Sequence, residues 1–447
     1  MRQMQAWTLT TAAVLNVFVL LSGFVTVDVL RSQPPMADAY PATLAKDTPD
    51  AASSDAAPVD PNQLADKLDD PMSDIELGEG LTGYVADAAS GESLFDKNGG
   101  EGVTPASTTK LVTAVAALRS LGPDEHLHTR VVRSGDTLTL VGGGDPTLSS
   151  TGPGGYPSLA SMTELAQRTA DSLDGSGTDT VTLAYDDSLY SGPPLAPSWK
   201  PNYVTGGSVA PVHALMVNEG YGDDGYPVDD PPRQAAEEFA RQLEDAGVDV
   251  SGDPSSEKAP EDAERVARVA SPEISALVEK MLLESNNNIA EALVRHVARS
   301  EGESPSFGGG STAISGVMSD LDVSGVDVAD GSGLSVDNNI SPEALVDVLA
   351  AALDSQNPEL QTVPSSLPTA HFTGTLDGRY APDSPTEEGA GVVRAKTGTL
   401  SEVSALAGTI NDADGRLLLF AFIANDPLAS GSRLDRLASA VATCGCS

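Results

Sequence analysis

Strand-forming segments stand at both ends of this chain, and helix-forming segments fill the middle. Residues 81–98 alternate apolar and polar side chains around a turn at 89–91, as in a β-hairpin. Near the C-terminus, three more strand-like segments follow one another: GVVRAKTGTL, EVSALAGTI and GRLLLFAFIAND. This order does not suit the alternating strands and helices of a parallel sheet. It predicts an α+β fold in which an antiparallel sheet brings the first and last strands together beneath a cover of helices.

A long central segment interrupts this plan. Residues 142–268 contain Gly- and Pro-rich loops, two helical patterns and the strand-like stretches TVTLAYDDSLY and ERVARVA. We interpret them as an inserted, β-containing extra domain. The main domain then comprises residues 61–141, which include a hairpin predicted over 127–141, and residues 269–443, with a tail at 444–447.

The N-terminus predicts export. The run from Trp7 to Val27 carries no charge, and about 20 apolar residues can span a bilayer. We interpret residues 1–31 as an uncleaved anchor or a cleaved signal, in preference to a core helix. The acidic, Pro- and Ala-rich residues 32–60 read as a linker. The protein is therefore expected outside the cytoplasm, anchored to the membrane or secreted after cleavage.

Charge and cysteine usage exclude some functions. A net charge of −40 does not suit nucleic-acid binding, which needs a basic face. Cys444 and Cys446 are the only cysteines, so they either form one small local disulfide or lie unpaired in a disordered tail. They have no His/Cys cluster around them, so we predict no metal site.

Ser107 and Lys110 stand three residues apart at the start of an apolar helix, in TPASTTKLVTAVAAL. Residues at this spacing share one helix face, and the N–H groups at a helix start can stabilise an oxyanion. A lysine whose pKa is lowered by burial or by a second cation can take the serine proton. Taken alone, the pair has a simpler explanation, in which Ser107 caps the helix and Lys110 lies on the surface.

Two further polar clusters occur later in the chain. The stretch SNN at 285–287 precedes a helix, so it is either a capping cluster or a site where Ser285 relays a proton and Asn287 holds an amide. Lys396 opens K-T-G-T in a strand that is otherwise mostly apolar. Gly398 would let a ligand approach the strand backbone, and a strand edge can pair with an extended peptide. An edge-strand lysine followed by a turn would explain the same pattern.

Taken together, the three clusters match in order and context the set S-x-x-K, S-x-N and K-T-G. The segments LVGGGDPTL, SNNNIAE and DGSGLS (330–335) add to the likeness. Over about residues 60–443 the chain resembles the class C low-molecular-mass penicillin-binding proteins, the D-alanyl-D-alanine carboxypeptidase/endopeptidase group. The resemblance implies a β-lactamase/transpeptidase-like fold, with an antiparallel sheet, an all-helical part and extra domain material between the first two motifs.

The resemblance also implies a reaction without a cofactor. Ser107 would attack the carbonyl between two D-alanines of a peptidoglycan stem peptide and form an acyl-enzyme. Lys110 would be the base, helped to stay neutral by the charge of Lys396, and Ser285 would pass the proton to the leaving amine. The N–H groups of Ser107 and Thr399 would hold the oxyanion. Penicillins would inhibit the enzyme by acylating the same serine.

The implied partners are peptidoglycan peptides ending in D-Ala-D-Ala and β-lactam antibiotics. Asn287 would hold the acyl-side amide, and Lys396 with its neighbours would bind the terminal carboxylate. Inserted residues near Trp199 and Tyr203 are candidates for contacting the stem peptide. The substrate-binding residues implied are Asn287, Lys396, Thr397, Gly398 and Thr399.

Two other functions stay open at this point. A β-lactamase of class A needs a glutamate that activates the deacylating water; the sequence offers no helix-borne glutamate at a matching place, and the long insert argues against this class. A non-catalytic β-lactam-binding protein of the cell wall is the second alternative, although the complete motif set favours an enzyme. The balance between carboxypeptidase and endopeptidase action is not encoded in these motifs.

Overall fold

The computed structural model describes residues 56–74, 77–152, 156–174 and 180–446. The predicted signal or anchor, residues 1–31, lies outside these ranges, as does most of the predicted linker. Within them, no helix is both long and apolar enough to cross a membrane. The helices are α1 Pro61–Met72, α2 Thr109–Leu121, α3 Met162–Leu173, α4 Asn202–Thr205, α5 Pro231–Asp245, α6 Ile274–Glu284, α7 Asn287–Ser300, α8 Phe307–Asp320, α9 Pro342–Leu353, α10 Thr362–Ser365 and α11 Gly431–Ala442. The strands are β1 Leu81–Asp87, β2 Ser93–Lys97, β3 His126–Ser134, β4 Thr137–Val141, β5 Thr180–Asp186, β6 Asp249–Val250, β7 Ser255–Ser256, β8 Glu264–Glu273, β9 Val326–Asp327, β10 Asn339–Ile340, β11 Val393–Leu400, β12 Val403–Asn411 and β13 Leu417–Asn425.

A five-stranded sheet joins the two ends of the described chain. Its strands lie in the order β11-β12-β13-β1-β2, and every neighbouring pair is antiparallel. The first strand pairs directly with the last, with Leu81 opposite Ala424. The predicted antiparallel sheet, with its first and last strands in contact, is confirmed.

Strand β13 shows why its segment is apolar throughout. Leu418, Phe420 and Phe422 belong to one buried cluster, and the alternate residues Leu419 and Ala421 belong to another. Successive side chains of a strand point to opposite faces, so both faces of the central sheet are buried. This explains a continuous apolar run in place of the usual alternation.

Helices cover the two faces differently. On one face, α2 and α6 to α9 form the helical part, whose core continues into the sheet. On the other face, α1 and α11 pack together and bury Leu64 and Leu437. The C-terminal residues Cys444 and Cys446 form a disulfide and are buried in this second cluster. Of the two alternatives for the tail, the structure therefore shows the local disulfide.

A second sheet combines strands of the inserted part of the chain with strands that precede it. Its order is β6-β5-β4-β3-β8, and β7 also pairs with β5. The predicted hairpin over residues 127–141 forms as β3 and β4, but it pairs with β5 and β8 and not with the central sheet. The second sheet therefore spans residues 126–273, beyond the boundaries predicted at 142 and 268. Periodicity identifies strands, but the long-range partner decides the sheet to which they belong.

Candidate active site

Ser107 lies in a tight turn that connects the edge of the central sheet to α2. The turn, Ala106–Thr108, is a short 3₁₀ segment, and Ala106 has the left-handed φ of 50°. No side chain caps the start of α2, so Ser107 is not the helix cap that the simpler explanation required. A Cβ at Gly333 would lie 2.0 Å from the Ala106 carbonyl oxygen, so the DGSGLS segment packs against this turn.

Lys110 points back from the first turn of α2 toward the serine. Its Nζ lies 3.0 Å from Ser107 Oγ, 2.7 Å from Asn287 Oδ1 and 2.5 Å from the Ser332 carbonyl oxygen. The side chain is fully buried. Burial lowers the pKa of Lys110 to about 7, although the negative charges of Asp330 and Glu291 oppose the change. A neutral amine beside the serine hydroxyl is therefore well populated near neutral pH.

A second lysine and serine meet on the other side of the site. Lys396 Nζ donates to Ser285 Oγ at 2.9 Å and to the Thr397 carbonyl at 2.9 Å. Burial first, and the charge of Lys110 second, hold the pKa of Lys396 well below its usual range. The expectation that Lys396 keeps Lys110 neutral thus needs correction, because burial is the main cause for both lysines.

Ser285 and Asn287 lie at the junction between α6 and α7. Ser285 ends α6 with a left-handed φ of 57°, and Asn286 caps α7 by accepting from the Ile289 N–H at 3.0 Å. Asn287 Nδ2 donates to the Ser208 carbonyl at 2.7 Å, while its Oδ1 accepts from Lys110. Both ends of this amide therefore have protein partners, one of them in the inserted segment. The capping role predicted for this cluster falls to Asn286.

The K-T-G stretch lies on β11, the edge strand of the central sheet. Gly398 is needed for close packing, because a Cβ there would lie 2.8 Å from the Pro105 carbonyl oxygen in the Ser107 turn. The Thr397 hydroxyl lies 2.8 Å from that of Thr375, and Thr399 is exposed. Residues 397–399 therefore lie beside the Ser107 turn.

The outer edge of β11 is paired with other backbone at the start of the strand. The Ala395 N–H and the Val393 C=O bind residues 368 and 370, on the side away from β12. Alternate residues of a strand direct these groups to the same side. The N–H of Thr399 therefore points to the outer edge of β11. It lies further along the strand than Val393 and Ala395, which pair with residues 368 and 370.

The DGSGLS segment aims a carbonyl group at Lys110. Glu291, which is fully buried on α7, accepts from the N–H groups of Gly331 and Ser332 at 3.1 and 2.9 Å. Asp330 accepts from the Gly333 N–H at 2.8 Å. These contacts fix the Ser332 carbonyl that binds Lys110. Sequence reasoning missed Glu291, for which the signal was a charged residue inside the apolar pattern IAEALV.

Glu291 also bears on the β-lactamase alternative, since it is a helix-borne glutamate near the serine–lysine pair. One carboxylate oxygen is occupied by the two backbone amides, and the other lies 3.3 Å from Arg295. Burial raises the pKa of Glu291 to about 7. With no exposure to solvent, this carboxylate is placed to organise the site and not to activate water.

Trp199 is largely buried. Its Nε1 donates to Asp330 at 2.7 Å, and its ring packs edge-on against Phe307 with centroids 5.3 Å apart. The inserted segment therefore supports the DGSGLS turn through Trp199, which is 8% exposed. Tyr203 packs against the same small cluster. The side chain of Trp199 is thus occupied by partners within the protein, and the stem-peptide contact suggested for this segment stays a prediction.

An antiparallel sheet and a helical part that meet at a Ser–Lys pair, with K-T-G on the edge strand, define the class of β-lactamases and penicillin-binding proteins. Within that class, the chain belongs to the D-Ala-D-Ala carboxypeptidase 3 (S13) family, whose profile matches residues 64–224 and 223–443. The resemblance inferred from the motifs is confirmed.

Named relatives agree with this placement. The chain is 34% identical over 385 residues to a carboxypeptidase of Mycobacterium tuberculosis, covering 83% of this chain and 82% of the relative. It is 30% identical to a D-alanyl-D-alanine carboxypeptidase of Actinomadura sp., with 82% of each chain covered. The crystal structure of penicillin-binding protein 4 from Haemophilus influenzae has the same fold, with a TM-score of 0.70, 22% identity, and coverage of 83% of this chain and 97% of the other.

Proposed function

We propose that this chain is a serine-type D-Ala-D-Ala peptidase that forms an acyl-enzyme on Ser107. The observation that carries the proposal is the buried Lys110 amine, 3.0 Å from Ser107 Oγ and with a pKa lowered to about 7. Such an amine can accept the serine proton, which an exposed lysine cannot do at neutral pH. Membership of the S13 family and the carboxypeptidases named among its relatives support the same reaction.

In the acylation step, Ser107 Oγ attacks the carbonyl carbon between two D-alanines, and its proton moves to neutral Lys110. The negative oxygen that develops accepts hydrogen bonds from the N–H groups of Ser107 and Thr399. The outward direction of the Thr399 N–H supports this role. The buried Lys110 is held by acceptors on α7 and the DGSGLS turn, so little reorganisation is needed.

Collapse of this intermediate breaks the C–N bond. The leaving amine needs a proton, which Ser285 supplies while the proton held by Lys110 restores the Ser285 hydroxyl. The contact of 2.9 Å between Ser285 Oγ and Lys396 Nζ supports this relay, because it orients the hydroxyl. Water then hydrolyses the ester on Ser107 and regenerates the free enzyme.

Substrate binding is proposed for the edge of β11. The terminal carboxylate would contact Lys396, Thr397 and Thr399, with Gly398 allowing a close approach. A carboxylate arriving here would favour the charged form of Lys396, whose pKa is otherwise held low by burial. Asn287 would bind the acyl-side amide after releasing one of its present partners.

The proposed place of action is outside the cytoplasm, on the peptidoglycan. The disulfide between Cys444 and Cys446 supports this, since disulfides persist in oxidising compartments. Anchoring through residues 1–31 is a further proposal, and it is tested by asking whether the mature chain retains those residues in the membrane fraction.

The reaction is tested by incubating the purified protein with a stem pentapeptide and with a cross-linked peptide dimer, followed by mass spectrometry. We expect release of D-alanine from the pentapeptide and none from the Ser107→Ala variant. Cleavage of the dimer would add endopeptidase action. If neither substrate is cleaved but labelled penicillin is bound, the non-catalytic β-lactam-binding alternative holds. If penicillin is not bound either, the proposal that Ser107 forms an acyl-enzyme is wrong.

Penicillin separates the peptidase from a β-lactamase. We expect labelled penicillin to acylate Ser107 stoichiometrically and to leave slowly, because Glu291 is fully buried and both of its carboxylate oxygens have protein partners. The coloured cephalosporin nitrocefin measures turnover directly. Rapid, sustained hydrolysis of nitrocefin would contradict the proposal.

A further inference from the structure

A large cavity lies on the second sheet, away from Ser107. Its volume is about 720 Å³, and it is bordered by β3, the segment 258–265 and the C-terminal end of α7. His296 of α7 lines this cavity, whereas Asn287, nine positions earlier, contacts Lys110. At a rise of about 1.5 Å per residue, roughly 14 Å of helix separates the two places.

The wall formed by β3 mixes apolar and polar side chains. Leu127 and Val132 are buried and line the cavity, whereas His128 is half-buried and Arg130 is exposed beside them. On the neighbouring strand β8, Arg265 lies opposite Val132, so it extends the same wall. The wall therefore carries two arginines in a chain whose net charge is −40.

Four cations converge on the cavity from different parts of the chain. They are Arg130, Lys258, Arg265 and Arg299. None of the four forms an ion pair with any residue that the structure describes. Arg233 and Arg241 of α5, by contrast, each pair with a glutamate of the same helix.

The two acidic residues of the lining balance the four cations only in part, and the charge of Lys258 acts on Asp186. Only Asp186 and Glu261 are acidic there. Asp186 accepts from the Ser188 and Ala259 N–H groups at 2.8 and 2.9 Å, so its carboxylate holds the surrounding loops in place. In addition, His128 Nδ1 has no hydrogen-bond partner among the described residues. The cavity therefore combines excess positive charge with unused hydrogen-bonding capacity.

We propose that this cavity binds a ligand carrying two or more phosphate or carboxylate groups, at a site separate from the catalytic serine. Guanidinium groups bind both kinds of anion through paired N–H donors. The cations stand on several elements around a space far larger than one phosphate, so they match a ligand with several charged groups. Phosphate and carboxylate groups occur both on small soluble anions and on anionic polymers.

The test is calorimetric titration of the purified protein at low ionic strength with orthophosphate, pyrophosphate, citrate and a linear polyphosphate. We expect saturable binding of pyrophosphate and citrate, at least about tenfold tighter than orthophosphate, that weakens with added salt. Tighter binding of polyphosphate than of pyrophosphate would assign the site to a polymer. Equal binding of the two would assign it to a soluble anion.

Arg130→Gln and Arg265→Gln are each expected to weaken pyrophosphate binding by about tenfold, the loss of one charged hydrogen-bonding group. The matched control Arg241→Gln removes the same charge from the same domain and should change binding less than twofold. Thermal unfolding of all three variants verifies folding, which should persist because these side chains are exposed. The proposal would be overturned if none of the four probes binds saturably. It would also be overturned if Arg241→Gln weakens pyrophosphate binding as much as Arg130→Gln and Arg265→Gln do.

Discussion

At the scale of single residues, the environment of the Lys110 amine decides what this site can do. Three acceptors surround Nζ, which would favour the charged form, yet removal from water outweighs them. The balance leaves a pKa of about 7 in place of the ordinary 10.5. The residue therefore changes its protonation state near neutral pH.

This balance predicts the pH dependence of acylation. With the neutral amine as the proposed base, the rate of penicillin labelling should rise with pH and reach half its maximum near pH 7. Lys110→Ala should lower the rate by about 100-fold or more, while Lys67→Gln, on the exposed face of α1, should keep the wild-type profile. A rate that does not change between about pH 5 and pH 9, or that rises only near the pKa of a free lysine, would contradict the assignment.

Glu291 should influence the pH dependence of acylation through its charge. Its negative charge raises the pKa of Lys110, so Glu291→Gln should move the midpoint of acylation to lower pH while keeping an acceptor for the Gly331 and Ser332 amides. Arg295, 1% exposed, would lose its counter-charge, and stability should fall by about 3 kcal/mol or more.

The comparison for Glu291 is Glu284→Gln, an exposed residue of α6 paired with Lys280. It should leave both the midpoint and the stability nearly unchanged. Acylation profiles and urea unfolding of the two variants provide the measurement. A midpoint that stays in place, or moves upward, in Glu291→Gln would show that its charge does not act on Lys110.

At the scale of elements, the contact between β11 and the Ser107 turn positions the serine. Gly398→Ala would place a Cβ 2.8 Å from a backbone oxygen and 3.0 Å from Ala405 Cβ. The turn must then shift, and acylation should slow by about 10- to 100-fold. Gly308→Ala on α8 is the control, since nothing lies within 4 Å of its added Cβ. Equal labelling rates in the two variants would mean that the packing at Gly398 does not set the position of Ser107.

The elements show how far sequence reasoning reached. Periodicity located most helices and strands, and the apolar run of β13 correctly indicated a strand of the central sheet. It could not assign β3 to the second sheet, because its partner β8 is more than 120 residues away. It also could not find the role of Glu291, which depends on amides of a turn that is distant in sequence but adjacent in space. Local patterns specify elements, whereas such contacts follow only from the assembled fold.

At the scale of the whole molecule, the two ends of the domain stabilise each other. The Asp60 N–H donates to the Cys446 carbonyl at 2.7 Å, and both cysteines are buried against the sheet. Removing residues 444–447 should therefore lower the free energy of unfolding by about 2 to 4 kcal/mol, as measured by urea denaturation.

Reduction of the disulfide alone should have a smaller effect than this truncation, because the bridge closes a very short loop and restricts the unfolded chain little. The treatment with reductant keeps every buried atom of the tail in the protein, so it serves as the control. A truncated protein as stable as the full chain would show that the tail adds nothing to the core.

The pairing of β1 with β13 also fixes when the enzyme can become active. Ser107 is synthesised early, but Lys396 and the strands that hold it come from the last part of the chain. A nascent chain that stops before β11 contains Ser107 but not Lys396 or the strand that carries it. The central sheet can close only after nearly all of the polypeptide has been synthesised, and such long-range pairing is slow. The proposed catalytic centre is therefore among the last parts of the fold to be completed.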